Sequence, residues 1–301
     1  MVGGYIADMP SHGASPNPLR DQTVLITGAN SGIGRATAQA VASRGSRVVL
    51  AVRNRAAGDA VVDELVGGRD RHVVAQLDLA DLDSVRRFAD QWTEPIDVLV
   101  NNAGVATPRL LRTADGFEMQ FGTNHLGHFA LTALLLPLVS SRVVTVASQA
   151  ERAGRLDLDD LNWSRRPFRS SRAYADSKLA NVLFTQELTR RLTASRSPVT
   201  AYSAHPGLVR TAIYDRPPGT TPTIWDRLVP ILGQDPDAGA LPVLLAIFGD
   251  IAPGSFTGPR HFANMRGGAH VIGQSKQARD HQLAAGLWAA SERLTSTQVP
   301  A

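Results

Sequence analysis

The sequence contains no cysteine, so structural disulfides, thiolate nucleophiles and metal sites with cysteine ligands are excluded. A reducing compartment is the natural environment of such a chain, and we expect the protein to be cytoplasmic. Long hydrophobic runs are also lacking. The longest, FALTALLLPLV at 129–139, is about half of the ~20 residues that cross a bilayer. It predicts a buried helix, and we expect no membrane association.

Lysine is scarce, and arginine carries most of the positive charge. The formal net charge is +4, and lysine occurs only at Lys178 and Lys276. Clustered basic residues would indicate phosphate contacts with a nucleic acid. The arginines are instead scattered, and most of them lie near acidic residues. We therefore expect no nucleic-acid partner and interpret the charge as that of an arginine-rich surface.

Short β-branched runs alternate with stretches of helical periodicity along most of the chain. The runs are TVLIT (23–27), RVVLAV (47–52), HVVAQL (72–77), DVLVN (97–101), RVVTVAS (142–148) and VTAYSA (199–204). They are continuously apolar, as strands covered on both faces are. This pattern predicts an α/β fold, a single-domain Rossmann-type doubly wound parallel sheet of about seven strands flanked by helices.

A glycine-rich segment, LITGANSGIGRATAQA at 25–40, follows the first predicted strand. Gly28, Gly32 and Gly34 lie between this strand and a helix. Missing side chains there let backbone N–H groups and the helix N-terminus approach a pyrophosphate. A tight turn alone accounts for one glycine and not for three at this spacing, so the segment predicts a dinucleotide site.

The end of the second predicted strand, LAVRN, bears on which dinucleotide is bound. A site for NAD usually has a carboxylate there, whereas an arginine accommodates the 2′-phosphate of NADP. Arg53 occupies this position without an adjacent acidic residue, and Arg35 supplies a second cation. NADP(H) is therefore the preferred cofactor and NAD(H) the alternative. A solvated strand end is the other interpretation of Arg53.

Tyr174 and Lys178 lie four residues apart in SRAYADSKLANVLFTQELTRRL (171–192), a stretch with helical periodicity. Positions i and i+4 share a helix face, so the ammonium group lies near the phenol. A neighbouring cation favours the phenolate, which suits Tyr174 to act as a general acid/base. Ser148, at the carboxyl end of a predicted strand, is placed to polarise a carbonyl group beside it.

Three histidines are further candidates for functional residues. His125 and His128 share a helix face, but no third ligand is indicated, and we expect no metal site. His205 precedes a Pro-Gly turn at the end of a predicted strand. It is either a structural histidine or a contact to a ligand.

Together these motifs resemble the short-chain dehydrogenase/reductase superfamily over roughly residues 20–265. TGANSGIG (27–34) matches its cofactor loop, NNAG (101–104) a segment beside the cofactor, and YADSK its YxxxK motif. The stretches NHLGHFALT, YADSKLANVLFTQELTRRL and LDDLNW are similar to the retinol-dehydrogenase-like and WW-domain-oxidoreductase-like branch.

The resemblance implies a role for individual residues of this chain. The implied catalytic set is Asn124, Ser148, Tyr174 and Lys178. The implied cofactor contacts are Gly28, Asn30, Ser31, Gly32, Ile33, Gly34, Arg53, Asn54, Asp78, Leu79, Asn102, Ala103, Gly104, Tyr174, Lys178, Pro206, Gly207, Val209 and Thr211. Within these sets, Asn124 positions a water that links Lys178 to solvent, Asp78 meets the adenine ring, and Thr211 contacts the nicotinamide carboxamide.

The predicted organisation is a flexible N-terminal arm at 1–18 and a single dinucleotide-binding catalytic domain at 19–301. The segment 208–235 is rich in proline and glycine and supplies apolar and aromatic side chains. It is expected either to be a substrate-binding loop or lid or to pack on the core. Oligomers are common in the superfamily, so a homo-oligomer is compatible with the sequence.

The predicted function is NADP(H)-dependent interconversion of a hydrophobic carbonyl compound and its alcohol by hydride transfer, with Tyr174 as general acid/base. A non-catalytic NADP(H)-sensing regulatory protein is the alternative. The complete catalytic set argues against a sensor, which has no need of a proton donor. An epimerase or dehydratase of the extended branch is also disfavoured, because its cofactor loop usually reads GxxGxxG.

Overall fold

The computed structural model describes residues 21–210 and 233–299. The expected arm at 1–18, Thr211 and most of the 208–235 segment lie outside the described residues.

Eight strands of the described chain form one sheet, in the order β3-β2-β1-β4-β5-β6-β7-β8. They are β1 (Thr23–Thr27), β2 (Arg47–Val52), β3 (Val73–Gln76), β4 (Ile96–Asn101), β5 (Val139–Val146), β6 (Thr200–Ala204), β7 (Phe256–Gly258) and β8 (His270–Ile272). Strands β1 to β7 pair in parallel, and β8 pairs antiparallel with β7. The predicted doubly wound parallel sheet is confirmed, with eight strands in place of about seven.

The helices lie on both faces of this sheet. They are α1 (Gly32–Ala42), α2 (Arg55–Val62), α3 (Gly68–Arg71), α4 (Leu82–Gln91), α5 (Met119–Phe121), α6 (Gly127–Leu135), α7 (Ser170–Ala194), α8 (Pro236–Phe248) and α9 (His281–Thr295). A π-helical turn at Gly122–Leu126 joins α5 to α6. Short 3₁₀ turns occupy Leu136–Leu138, Gln149–Ala153 and Gln277–Arg279. None of the helices in the described ranges is both long enough and apolar enough to cross a membrane.

Each strand of the sheet centre buries side chains on both faces. On β1, Leu25 belongs to the core beneath α4, α6, α7 and α9, whereas Val24 and Ile26 belong to the core beneath α1 and α8. All three side chains are fully buried. This double coverage explains the continuously apolar strand sequences, because alternation appears only where one face meets water.

The C-terminal helix α9 docks on the core of its own chain. Trp288 packs edge-on against Phe129, with ring centroids 5.1 Å apart, and stacks on Phe184 at 5.8 Å. The Arg191 guanidinium lies 4.4 Å from the centre of the Trp288 ring. The amphipathic pattern of this helix is therefore satisfied within one chain.

Strands β1 and β4 are neighbours in the sheet although they are not consecutive in the chain. The chain runs from β1 to β2 towards one edge of the sheet and from β4 to β5 towards the other edge, as in other doubly wound sheets. A crevice therefore opens outside their carboxyl ends, where such sheets bind ligands.

Candidate active site

A cleft of about 410 Å³ opens at the carboxyl ends of the central strands. Every predicted cofactor contact within the described ranges lines it, and Thr211 lies outside those ranges. Ser148, Tyr174 and Lys178 also line the cleft. Asn124, the remaining member of the predicted catalytic set, is fully buried behind the cleft wall. The structure thus brings the predicted residues together, and their roles in binding and catalysis stay predictions.

The turn between β1 and α1 is built for close backbone approach. Gly28 has a φ of +65°, which glycine adopts without strain. A Cβ on Gly34 would lie 2.3 Å from the Gly28 oxygen and 2.5 Å from Asn102 Nδ2, so only glycine fits. Ser31, Gly32 and Ile33 at the start of α1 line the cleft, which places a helix N-terminus at its floor.

Thr27, the last residue of β1, joins the glycine-rich turn to the NNAG segment. Its Oγ1 accepts the N–H groups of Asn102 and Ala103, both at 2.9 Å. Asn102 Nδ2 donates in return to the Thr27 carbonyl oxygen at 2.8 Å. The glycine-rich turn and the NNAG segment are therefore held together by Asn102 and by Thr27, a residue that the sequence analysis did not single out.

The two arginines predicted to favour NADP(H) have different surroundings. Arg53 is exposed at the end of β2, lines the cleft, and forms no ion pair with any residue of the described ranges. Arg35 pairs with Glu64, which also accepts a hydrogen bond from Gln39 at 3.3 Å. Arg53 is thus the cation with uncommitted charge at this position, whereas the charge of Arg35 is partly neutralised.

Asn124 lies in the π-helical turn and uses its side chain to fix the chain beside the cleft. Its Oδ1 accepts from Val105 N at 2.7 Å, and its Nδ2 donates to the Val105 oxygen at 3.0 Å. The same Nδ2 lies 3.0 Å from Ser177 Oγ on α7. A Cβ on Gly104 would lie 3.4 Å from Asn124 Oδ1 and 3.5 Å from Lys178 Nζ, so both polar groups border this glycine.

Tyr174 and Lys178 lie one turn apart on α7, with the Lys178 Nζ 5.7 Å from the centre of the Tyr174 ring. Lys178 is 3% exposed, and its Nζ donates to the Val146 oxygen at 3.2 Å. Burial lowers its pKa to about 8. At neutral pH the ammonium form still predominates, so the phenol has a buried cation beside it.

Ser148 begins the 3₁₀ turn that follows β5, and its Oγ accepts the N–H of Ala150 at 3.2 Å. This bond uses a lone pair of the hydroxyl, so the hydroxyl hydrogen remains to be donated into the cleft. The geometry suits Ser148 to hydrogen-bond an oxygen that enters the cleft beside Tyr174.

The Pro206-Gly207 turn is held by two residues, one of which the sequence analysis missed. His205 is buried, and its Nδ1 accepts from Gly207 N at 3.3 Å. Burial lowers the His205 pKa to about 4, so its ring is neutral at pH 7. Gln234 donates from Nε2 to the Pro206 oxygen at 2.8 Å and accepts from Gly267 N at 2.9 Å. A single glutamine far along the chain carries no sequence signal for such a position.

The comparisons with known proteins agree on one family. The sequence profile of the short chain dehydrogenase family matches residues 22–217. Human retinol dehydrogenase 13 is 39% identical over 316 aligned residues, which cover 98% of this chain and 91% of that protein. Human dehydrogenase/reductase SDR family member 13 is 42% identical, with coverage of 98% and 80%.

Solved structures give the same result. An uncharacterized protein from Mycobacterium paratuberculosis is 46% identical and superposes with a TM-score of 0.83, covering 98% of both chains. A short-chain dehydrogenase/reductase from Burkholderia phymatum in complex with NAD is 26% identical, with a TM-score of 0.59 and coverage of 76% and 86%. A short chain dehydrogenase from Burkholderia cenocepacia in complex with NADP is 25% identical, with a TM-score of 0.62 and coverage of 79% and 96%.

The fold and the family profile define the chain as a member of the short chain dehydrogenase family, an oxidoreductase that acts on CH–OH donors. Its cofactor class is a nicotinamide dinucleotide. Its curated relatives place it in the retinol-dehydrogenase-like branch of that family.

Proposed function

We propose that this chain uses NADP(H) to interconvert a hydrophobic carbonyl compound and its alcohol. The observation that carries the proposal is the convergence of Ser148, Tyr174 and Lys178 on one cleft whose far end is lined by Arg53. At one end of the cleft, Ser148 and Tyr174 can hydrogen-bond a substrate oxygen beside the buried Lys178 cation. At the other end, Arg53 suits a phosphate of the cofactor.

The cleft fits the cofactor through backbone groups and one side-chain cation. The glycine cradle around Gly34 has no room for a Cβ, and the N-terminus of α1 favours the negative charge of a pyrophosphate. Arg53 supports the choice of NADP(H), because its guanidinium suits a 2′-phosphate and pairs with no acidic residue in the part of the chain that the structure describes. When bound, the nicotinamide ring supplies or accepts the hydride.

The residues of the chain handle the substrate oxygen and its proton. In the reductive direction, Ser148 and Tyr174 donate hydrogen bonds to the carbonyl oxygen, and the Tyr174 hydroxyl then transfers its proton to that oxygen. Lys178 stabilises the phenolate that this transfer leaves, because its ammonium lies near the ring. Asn124 and Lys178 border the same glycine, which supports a shared role in returning a proton to Tyr174.

A hydrophobic substrate is supported by the relatives rather than by the described residues. The human relative at 39% identity is named as a dehydrogenase of retinol, an apolar alcohol. The apolar and aromatic residues of 208–235 would supply a matching surface, and most of them lie outside the described residues. The cytoplasmic location stays a prediction, and a homo-oligomer stays compatible with the sequence.

The experiment measures loss of reduced-nicotinamide absorbance with NADPH and with NADH over a panel of hydrophobic aldehydes, ketones and quinones. Wild type is assayed beside Tyr174→Phe, which keeps the ring and removes the proton donor. We expect NADPH to be preferred and the variant to lose about 10²-fold or more of the rate. Tight NADPH binding without turnover of any panel member in either direction would favour the NADP(H)-sensing alternative.

A further inference from the structure

The segment NHLGHF at 124–129 contains two histidines that the proposed reaction does not use. His125 is 2% exposed and His128 is 1% exposed. Between them, Gly127 is required by close packing, because a Cβ there would lie 2.4 Å from the Leu79 oxygen. The first residue of α6, directly after the π-helical turn that carries Asn124, is thus packed against Leu79, which lines the cleft.

His128 hydrogen-bonds to two residues of the candidate site. Its Nδ1 lies 3.0 Å from the main-chain oxygen of Asn124, and its Nε2 lies 2.8 Å from Thr27 Oγ1. Thr27 is the residue whose hydroxyl holds the backbone of Asn102 and Ala103 at the cleft wall. We call the segment of the cleft wall at Asn102 and Ala103 the cofactor wall. One buried imidazole therefore links Thr27, which holds this wall, to the predicted catalytic asparagine.

The chemistry of the partners fixes the tautomer of this imidazole. A carbonyl oxygen only accepts, so Nδ1 must carry the hydrogen that bonds to Asn124. Burial lowers the His128 pKa to about 4, and the ring is therefore neutral. A neutral ring with a hydrogen on Nδ1 leaves Nε2 as an acceptor, which takes the hydroxyl hydrogen of Thr27.

The Thr27 hydroxyl is fully used in this arrangement. It accepts two backbone N–H groups and donates its one hydrogen to His128 at 2.8 Å, in preference to the Val100 oxygen at 3.4 Å. Such a chain of bonds has a defined direction: backbone amides of the cofactor wall donate to Thr27, Thr27 donates to His128, and His128 donates to Asn124. Removing one member leaves its neighbours with an unpaired donor or acceptor.

We propose that His128 is a positioning residue that couples the cofactor wall at Thr27 to the main-chain carbonyl of Asn124. The inference rests on the proposed function, in which Asn124 serves the proton supply of Tyr174. His128 contacts neither substrate nor cofactor. Its two nitrogens act on different quantities: Nε2 on cofactor affinity through Thr27, and Nδ1 on turnover through Asn124.

Two amide variants separate these halves. In His128→Asn the side-chain amide reaches the place of Nδ1 and keeps a donor for the Asn124 oxygen, but the bond to Thr27 is lost. In His128→Gln the amide reaches the place of Nε2 and keeps a contact with Thr27, but the donor to Asn124 is lost. His128→Phe fills the space and loses both bonds.

The measured quantities are kcat and, independently, the Kd of NADPH from fluorescence titration. For His128→Asn we expect kcat within about threefold of wild type and a Kd raised about tenfold; for His128→Gln we expect the reverse. A tenfold change corresponds to about 1.4 kcal/mol, the size of one hydrogen bond. Equal effects of the two variants on both quantities would overturn the proposal.

His72 offers a matched control for a purely structural effect. It is 3% exposed, its Nδ1 accepts from Val48 N at 3.0 Å, and its Nε2 bonds the Val66 oxygen at 2.8 Å. It lies at the start of β3, away from the cleft. His72→Phe should lower the unfolding temperature as much as His128→Phe does and leave kcat and the Kd of NADPH within about twofold. A decrease in kcat of the same size in both variants would show that His128 is only structural.

The tautomer is tested without any turnover. Imidazole ¹⁵N shifts of the wild-type protein should show a neutral His128 with hydrogen on Nδ1 that does not titrate between pH 5 and 8. Hydrogen on Nε2 would contradict the proposal. If no substrate is found, this measurement and the Kd comparison still decide the coupling to Thr27, so its failure is distinguishable from failure of the proposed function.

Discussion

The Lys178 ammonium lies 5.7 Å from the centre of the Tyr174 ring and is almost entirely buried. Lys178 has no acidic partner among the described residues, and burial of such a charge opposes folding, in line with its lowered pKa of about 8. The site therefore retains a cation that destabilises the fold, as expected where activity depends on that cation.

Replacing Lys178 by Met should abolish turnover and stabilise the protein. The Val146 oxygen keeps a donor in the variant, because Asn181 Nδ2 also bonds to it at 3.1 Å. We expect the free energy of unfolding at pH 7 to rise by about 1–3 kcal/mol, since a buried charge is removed. Urea denaturation of wild type and variant checks this.

The pH dependence of that gain follows from the pKa of Lys178, about 8 in the folded state against an ordinary 10.5. The unfolded chain binds the proton more tightly, so the cost of the buried charge is full below pH 8 and is lost as the pH rises towards 10.5. The advantage of Lys178→Met should therefore be smaller at pH 9.5 than at pH 7. A gain that does not change with pH would mean that packing rather than charge causes it.

Reversing the charge of Arg53 should shift the cofactor preference from NADPH towards NADH. Arg53→Glu removes the cation that would meet a 2′-phosphate and places a carboxylate where an NAD site has one. We expect the KM of NADPH to rise by about 10–100-fold, the worth of a charge-assisted hydrogen bond, and the KM of NADH to fall. Arg293→Glu, the same change at an exposed position of α9, controls for net charge. Unchanged cofactor preference in Arg53→Glu would remove the basis for choosing NADP(H).

A methyl group on Gly34 should close the cofactor cradle. Its Cβ would lie 2.3 Å from the Gly28 oxygen, a backbone atom that cannot move aside without shifting the turn. Gly34→Ala should weaken NADPH binding by at least about tenfold, measured by fluorescence titration. Gly273→Ala is the control, because a Cβ there meets no atom within 4 Å. Equal affinity in the two variants would argue against this turn as the pyrophosphate site.

Truncation of Gln234 should disturb the Pro206-Gly207 turn. Gln234→Ala leaves the Pro206 oxygen and Gly267 N without their side-chain partner at a position that is 5% exposed. We expect the unfolding free energy to fall by about 1–3 kcal/mol and the KM of NADPH to rise severalfold. Gln186→Ala, which removes a bond to the Gly254 oxygen, is the comparison. A fall in stability without any change in KM would confine Gln234 to a structural role.

Much of the fold could be predicted because its signals are local. A run such as TVLIT, buried on both faces, is continuously apolar, and its predicted bounds match β1. Strand β8 is absent from the predicted runs, because a three-residue edge strand is too short to give a recognisable apolar run. Strand β5 begins at Val139, earlier than predicted. The predicted start was too late because polar residues at 140–142 interrupt the apolar run.

The candidate site likewise contains residues that local motifs predict and residues that no local motif predicts. Gly34 and Lys178 stand in motifs with fixed spacing, so their neighbourhood could be predicted. Thr27, His128 and Gln234 act through partners that are distant in the sequence: the Thr27 and His128 side chains meet across 101 positions. No local pattern encodes such a contact, which forms only because the fold brings α6 to the end of β1.

The most direct test of the central claim follows the hydride itself. NADPH deuterated at C4 of the nicotinamide ring, in each of its two stereochemical forms, is incubated with wild type and an accepted hydrophobic ketone, and the alcohol is analysed by mass spectrometry. The account predicts that one form, and not the other, transfers deuterium to the carbinol carbon, and that Tyr174→Phe loses this transfer. Alcohol formed without deuterium from either form, or transfer that persists undiminished in Tyr174→Phe, would contradict it.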